Sequence, residues 1–184
     1  MRTLDTERLI IRAFVLEDGD TYARLLDAAF GADSYGSSDS KRVMFEYQVA
    51  ADAGLALLHQ PPYGDRAIVV RSTGGVIGSV GFAPALAPFG LLPSFESSPH
   101  FTPEVGLFWA LFPDQQGHGY ATEAAAAMVA YAFAELRLRR IVATTEHNNT
   151  RSVNVMRRLG MRLERNPQSE PHWFQTVGTL DNAG

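Results

Sequence analysis

The chain has 184 residues, 46% of them hydrophobic and 20% charged, a balance that suits one domain (1–184) with a substantial buried core. Its formal net charge of −4 argues against general nucleic-acid binding, which asks for a basic domain. Cysteine is absent, and that excludes a disulfide framework, a thiolate nucleophile and a cysteine-ligated metal.

The chain opens on Met1-Arg2-Thr3-Leu4-Asp5 without an apolar leader, and no stretch approaches the ~18 apolar residues of a membrane span. A cytoplasmic protein without membrane or nucleic-acid partners is the expectation. Residues 8–14 read as a first strand. Asp18 or Asp20 offers a helix N-cap, and Tyr22, Leu25, Leu26 and Ala29 recur at helical spacing before Gly31. A small-residue loop follows, and a second helix is predicted from Ser40 to the Pro61-Pro62 stop. Residues 66–71 and 76–82, around the turn Ser72-Thr73-Gly74-Gly75, predict a β-hairpin. Residues 84–103 hold five prolines and several aromatics, and no regular element suits them. Such a stretch reads as a substrate lid, a homodimer contact or a variable surface loop. Residues 104–112 form an apolar run expected to be a strand buried on both faces. After a loop, residues 120–136 predict a helix with eight alanines between Ala121 and Ala134, able to pack close to a sheet. Residues 139–145 predict a strand, 149–159 a short helix, 160–164 a further strand start, and 173–177 the last strand.

The order strand, loop, helix around Gln116-Gly117-His118-Gly119-Tyr120-Ala121-Thr122 carries the chemistry. Two glycines let backbone approach an anion without a Cβ in the way. The helix that follows leaves its first amides unpaired, at the positive end of its dipole. Together they make a phosphate site that needs no basic side chain. The loop is not a P-loop, because no Gly-Lys-Ser/Thr follows, and it lacks the third glycine of a dinucleotide fingerprint.

Gln116-Gly117-His118-Gly119-Tyr120-Ala121 resembles the Gln/Arg-x-x-Gly-x-Gly/Ala loop of GNAT acetyltransferases. Gly119-Tyr120-Ala121-Thr122-Glu123-Ala124 is similar to the RimJ/RimL branch, as are Asn149-Thr150-Arg151-Ser152 with Arg158-Leu159-Gly160-Met161, and the opening Leu4-x-Thr6-x-Arg8-Leu9-x-Ile11-Arg12. The resemblance runs nearly end to end and implies a mixed, mostly antiparallel α/β (α+β) sheet with helices on both faces. It implies acetyl transfer from acetyl-CoA, the cosubstrate, to a primary or N-terminal amine on a protein, amino acid, polyamine or antibiotic. Amides of Gln116, Gly117, His118, Gly119, Tyr120, Ala121 and Thr122 would bind the CoA pyrophosphate. The strand ending at Leu111 would pair with the pantetheine arm, Asn149 would hydrogen-bond it, and Ser152 would lie near the leaving thiolate. Arg151, Arg157 and Arg158 either reach the adenosine phosphates or form a solvated helix face.

Acetyl transfer needs a neutral amine, a stabilised oxyanion and a stabilised thiolate. Glu104 is the first candidate for the base, directly or through water, with a solvated strand-end charge as the plain alternative. The position that is acidic in many family members is here Gly106, two residues on, which leaves Glu146 and His147 as rivals. Ser152 is the candidate proton donor, although Asn149 with Ser152 three residues on is also a helix-start pattern. The family's tyrosine position is Met156, which cannot donate a proton. No His, Asp and Glu cluster has metal-ligand spacing, so no metal is expected. A CoA- or nucleotide-binding module without turnover is the alternative reading.

Overall fold

The computed structural model describes residues 1–32 and 34–183. The chain divides into two compact units, Met1–Phe82 with Trp109–Met128, and Ala83–Phe108 with Val129–Gly184.

In the first unit, β1 (Leu4–Asp5), β2 (Leu9–Ala13), β3 (Gly64–Val70) and the start of β4 (Val76–Ala87) run antiparallel, with registers Leu4↔Ile11, Ile11↔Ile68 and Ile68↔Gly78. Two helices, α1 (Gly19–Phe30) and α2 (Ser38–Leu57), belong to this unit. Phe14, Tyr22, Leu26 and Phe45 close over Ala67 and Val69. Phe14 meets Tyr22 and Phe45 edge-on, with ring centroids 5.1 and 5.7 Å apart. Each such ring, fully buried, stabilises the unit by about 1.5–3 kcal/mol. The Asp18 side chain does not cap α1. Its carboxylate accepts from Arg12 and from the Val15 amide at 3.0 Å, holding the tight turn before the helix. Lys41, the lone lysine, is buried against Asp27 and the Ala32 carbonyl (2.8 Å), so it ties the start of α2 to the end of α1.

The second unit contains β6 (Arg140–Thr145), α4 (Thr150–Arg158), β7 (Arg162–Arg165) and β8 (Thr176–Asp181). β5 (Thr102–Leu111) begins here and meets β6 in parallel at Gly106↔Val142. β6 and β7 both run antiparallel to β8, as in Val142↔Thr179 and Leu163↔Gly178. The strand order is β1-β2-β3-β4-β5-β6-β8-β7, a mixed and mostly antiparallel sheet as expected.

Four readings change. The two-residue strand β1 had no signal of its own. β4 continues through Pro84, which is exposed and sits where a strand tolerates a missing donor, to Ala87. The stretch that follows, which carried no predicted element, is anchored within its own unit: Phe89 and Leu92 are buried with Ala87, Val142, Phe174 and Val177, and Phe95 stacks on Phe89 at 4.9 Å. Leu91 and Phe101 stay exposed. The last strand starts at Thr176, because residues 172–174 form a single tight turn that buries Phe174.

Candidate active site

β5 is half-buried along most of its length, with Leu107 and Leu111 alone fully buried, so the expected burial on both faces does not occur. Its end is held within the first unit. The Phe112 amide donates to the Ile77 carbonyl at 3.1 Å, and the Gln116 side-chain amide donates to the Leu111 carbonyl at 3.2 Å. Gly78 of β4 lies so close to this end that a Cβ there would sit 2.2 Å from the Ala110 carbonyl oxygen.

A tight turn, Pro113–Gln115, then leads to Gly117 and Gly119, whose φ angles of 84° and 82° lie in the left-handed region that glycine alone takes without strain. Nothing lies within 4 Å of where a Gly117 Cβ would be. Helix α3 (Tyr120–Ala134) starts at once. Its ladder begins where the Glu123 amide donates to the Gly119 carbonyl at 3.0 Å, so the amides of Tyr120, Ala121 and Thr122 have no intrahelical acceptor. The Thr122 hydroxyl in the same turn is buried and has no hydrogen-bond partner among the described residues. Unpaired amides, the helix dipole, a buried unpartnered hydroxyl and an open glycine face fit a phosphate group. His118 is exposed and contributes backbone, its ring stacked on Tyr120 at 5.6 Å.

The sequence reading missed what holds this loop. Glu123 Oε1 accepts from the Thr6 hydroxyl (2.6 Å) and the Arg8 amide (2.9 Å), and Oε2 accepts from Arg8 Nε (2.7 Å). The Arg8 guanidinium also donates to the His118 carbonyl at 3.0 Å and lies 4.7 Å over the Tyr120 ring. Burial pushes the Glu123 carboxyl up, but these hydrogen bonds and the Arg8 charge outweigh it and hold it below its ordinary value. Sequence offered one signal for this brace, an acid in the first turn of a helix. Its partners lie 115 and 117 positions away.

The remaining candidates lie in the second unit. Glu104 stands 3.6 Å from Arg140, which also donates to Asp181 at 2.8 Å and stacks over Phe95. Burial pushes the Glu104 carboxyl above its ordinary value against the pull of Arg140 and Arg139. At Gly106 a Cβ would lie 3.2 Å from the Ala83 carbonyl oxygen, a tight approach that the missing side chain avoids. Asn149 caps α4, its side-chain oxygen accepting from the Ser152 amide at 3.1 Å, so the cap reading of this pair holds. The Asn149 NH₂ is still a donor, and the Ser152 hydroxyl has no partner among the described residues. His147 holds Thr176 at 2.9 Å through its ring, while Glu146 is exposed. No group of three or more His, Cys, Asp or Glu residues suited to a metal occurs among the described residues. No helix among them is long and apolar enough to cross a membrane.

The model of the acetyltransferase (GNAT) domain family matches residues 8–162. An uncharacterized N-acetyltransferase, YoaA of Bacillus subtilis (strain 168), is 29% identical over 166 residues, covering 88% of this chain and 83% of that one. Among solved structures, an acetyltransferase from Agrobacterium tumefaciens str. C58 superposes with a TM-score of 0.69 at 28% identity, over 98% of this chain and 94% of that one. The ribosomal L7/L12 α-N-protein acetyltransferase RimL, solved in complex with coenzyme A, superposes with a TM-score of 0.66 at 16% identity, over the whole of both chains.

Proposed function

The chain belongs to the GNAT acetyltransferase family, and from that premise we propose that residues 116–122 carry the pyrophosphate of acetyl-CoA while a primary or N-terminal amine attacks the thioester in a ternary complex. The acyl-CoA-dependent acetyltransferase activity is the family's, and the residue roles are our reading. The observation that carries it is the Gly117–Gly119 turn, with free amides and an unpartnered Thr122 hydroxyl at the start of a helix braced by Arg8 and Glu123. RimL, with the same fold, holds coenzyme A.

In this reading the half-buried face of β5 leading to Leu111 receives the pantetheine arm as an added strand, and the Asn149 NH₂ donates to it. Glu104, with its raised proton affinity, accepts the amine's proton directly or through water, and the Ser152 hydroxyl stabilises the departing thiolate. RimJ and RimL are the branch whose sequence marks the chain shares, and the acceptor is a primary or N-terminal amine of the kinds that branch uses. Thiol release from acetyl-CoA across a panel of such amines tests the proposal: amine-dependent CoA release is expected, and release that no amine accelerates would overturn it.

A further inference from the structure

Helix α2 is apolar on two sides. Its inner side seals the first unit: Phe45 is buried, and Met44 and Val49 pack against the core around Phe14 and Tyr22. Its outer side carries Val43, Tyr47, Ala50, Gly54 and Leu57, spaced four, three, four and three residues apart, with Leu58 beside the last. That is the heptad spacing of a seam between two helices. Val43 is 58% exposed, Tyr47 73%, Leu57 82% and Leu58 69%. A surface helix ordinarily turns charge to this side. Residues 47–58 hold one charged residue, Asp52, and it pairs with the buried Arg66.

We propose that this outer face of α2 docks on the same face of a second copy of the chain, the two helices running antiparallel about a twofold axis. The face complements itself. Bulky side chains stand in its first half, Val43 and Tyr47, and small ones follow, Ala50 and Gly54. Among the described residues, nothing beyond the helix's own backbone lies within 4 Å of where a Gly54 Cβ would be. In the antiparallel pair Tyr47 of each copy lies over Ala50 of the other, and Val43 over Gly54. Large meets small in both directions, at the axis separation of about 8–10 Å that packed helices take.

Charge selects the same direction. Arg42 stands 2.8 Å from Glu46 and 3.8 Å from Asp39, so the first turns of α2 carry one exposed ionic network. An antiparallel pair keeps the two networks at opposite ends and sets each Arg42 near the carbonyl end of the other helix, where the dipole favours a cation. A parallel pair would bring like charges together and press Tyr47 on Tyr47. The four large side chains, with Ala50 between them, offer on the order of 500 Å² per copy, about 1,000 Å² in all, the size of a transient dimer.

Sedimentation velocity of the full chain, up to about 100 µM, tests this. A reversible monomer–dimer equilibrium with a dissociation constant of about 1–100 µM is expected. Tyr47→Glu should weaken it at least about tenfold, because it buries a charge without a partner. Tyr47 is exposed, so native circular dichroism is expected in that variant, and Leu57→Glu repeats the test at a second position. Phe101→Glu, at an exposed site in residues 84–103, should leave the equilibrium as it is. The chain has no cysteine, so introduced thiols report without background. A mixture of Val43→Cys and Gly54→Cys chains should oxidise mainly to the mixed disulfide, whereas a parallel pair would give like-with-like disulfides, told apart by mass. A strict monomer over that range, which would leave the face to another partner, would overturn the proposal. So would a dimer that survives both glutamate variants, one broken by Phe101→Glu instead, or like-with-like disulfides alone. None of these measurements needs turnover, so the outcome is independent of the acetyl-transfer reading.

Discussion

Replacing Glu123 by alanine removes the acceptor for three donors at once, the Thr6 hydroxyl, the Arg8 amide and the Arg8 guanidinium. Arg8 is 44% exposed, so water rescues the guanidinium and its ion pair adds under about 1 kcal/mol. The Thr6 hydroxyl bond is part-buried and so less easily rescued, and each of the Thr6 hydroxyl and Arg8 amide bonds to the carboxylate contributes about 1–1.5 kcal/mol. The expected destabilisation is about 2–4 kcal/mol, or a Tm lower by about 5–15 °C for a chain of this length. A second effect separates this brace from ordinary stability: Arg8 holds the His118 carbonyl, so its release should loosen the glycine turn and weaken CoA binding about tenfold or more. The pH dependence has a fixed sign. A carboxyl held below its ordinary value contributes stability that is present above the unfolded value near 4.3 and is lost as pH falls through the folded value. The wild type and Glu123→Ala should therefore differ most in Tm at neutral pH and converge in acid, measured by calorimetry at pH 7 and pH 3. Equal Tm at pH 7 together with equal CoA affinity would refute the reasoning.

Glu104→Gln should flatten the acidic limb of the pH profile of kcat/KM, and in the wild type that limb should lie above the ordinary glutamate value, because burial raises the group. An unchanged profile would move the base to Glu146, His147 or solvent. Ser152→Ala should lower kcat by about ten- to a thousandfold with little change in KM for acetyl-CoA, since thiolate stabilisation matters late in the reaction. The variant keeps the Asn149 cap, whose acceptor bonds the backbone amide of residue 152, so stability should hold, and a loss of stability alone would leave Ser152 a helix-start residue only. Gly78→Ala should destabilise the protein and impair CoA binding, because its methyl would stand 2.2 Å from a backbone oxygen and a strand must shift, and an unperturbed Tm would contradict that packing.

The glycine turn between β5 and α3 was legible because its signal is local: two glycines, a strand before and a helix after all fall within one short window. Helices α1, α2 and α3 announced themselves by spacing and by alanine content for the same reason. The brace on the loop was not legible, since Thr6, Arg8 and Glu123 meet only after β2 and α3 have been placed in the fold. Residues 84–103 misled because prolines mark turns without saying where the chain between them packs, and Phe89 and Leu92 are buried by contacts with Val142, Phe174 and Val177.

The central claim is that acetyl-CoA is held by backbone at the turn before α3, and titration of CoA into the wild type and Gly119→Val tests it most directly. Gly119 has φ of 82°, and a Cβ there would lie 3.4 Å from the Arg8 guanidinium, so valine both strains the turn and presses on its brace. The account predicts that far-ultraviolet circular dichroism stays native in Gly119→Val while CoA affinity falls by about a hundredfold or more. A natively folded Gly119→Val that binds CoA as tightly as the wild type would contradict it.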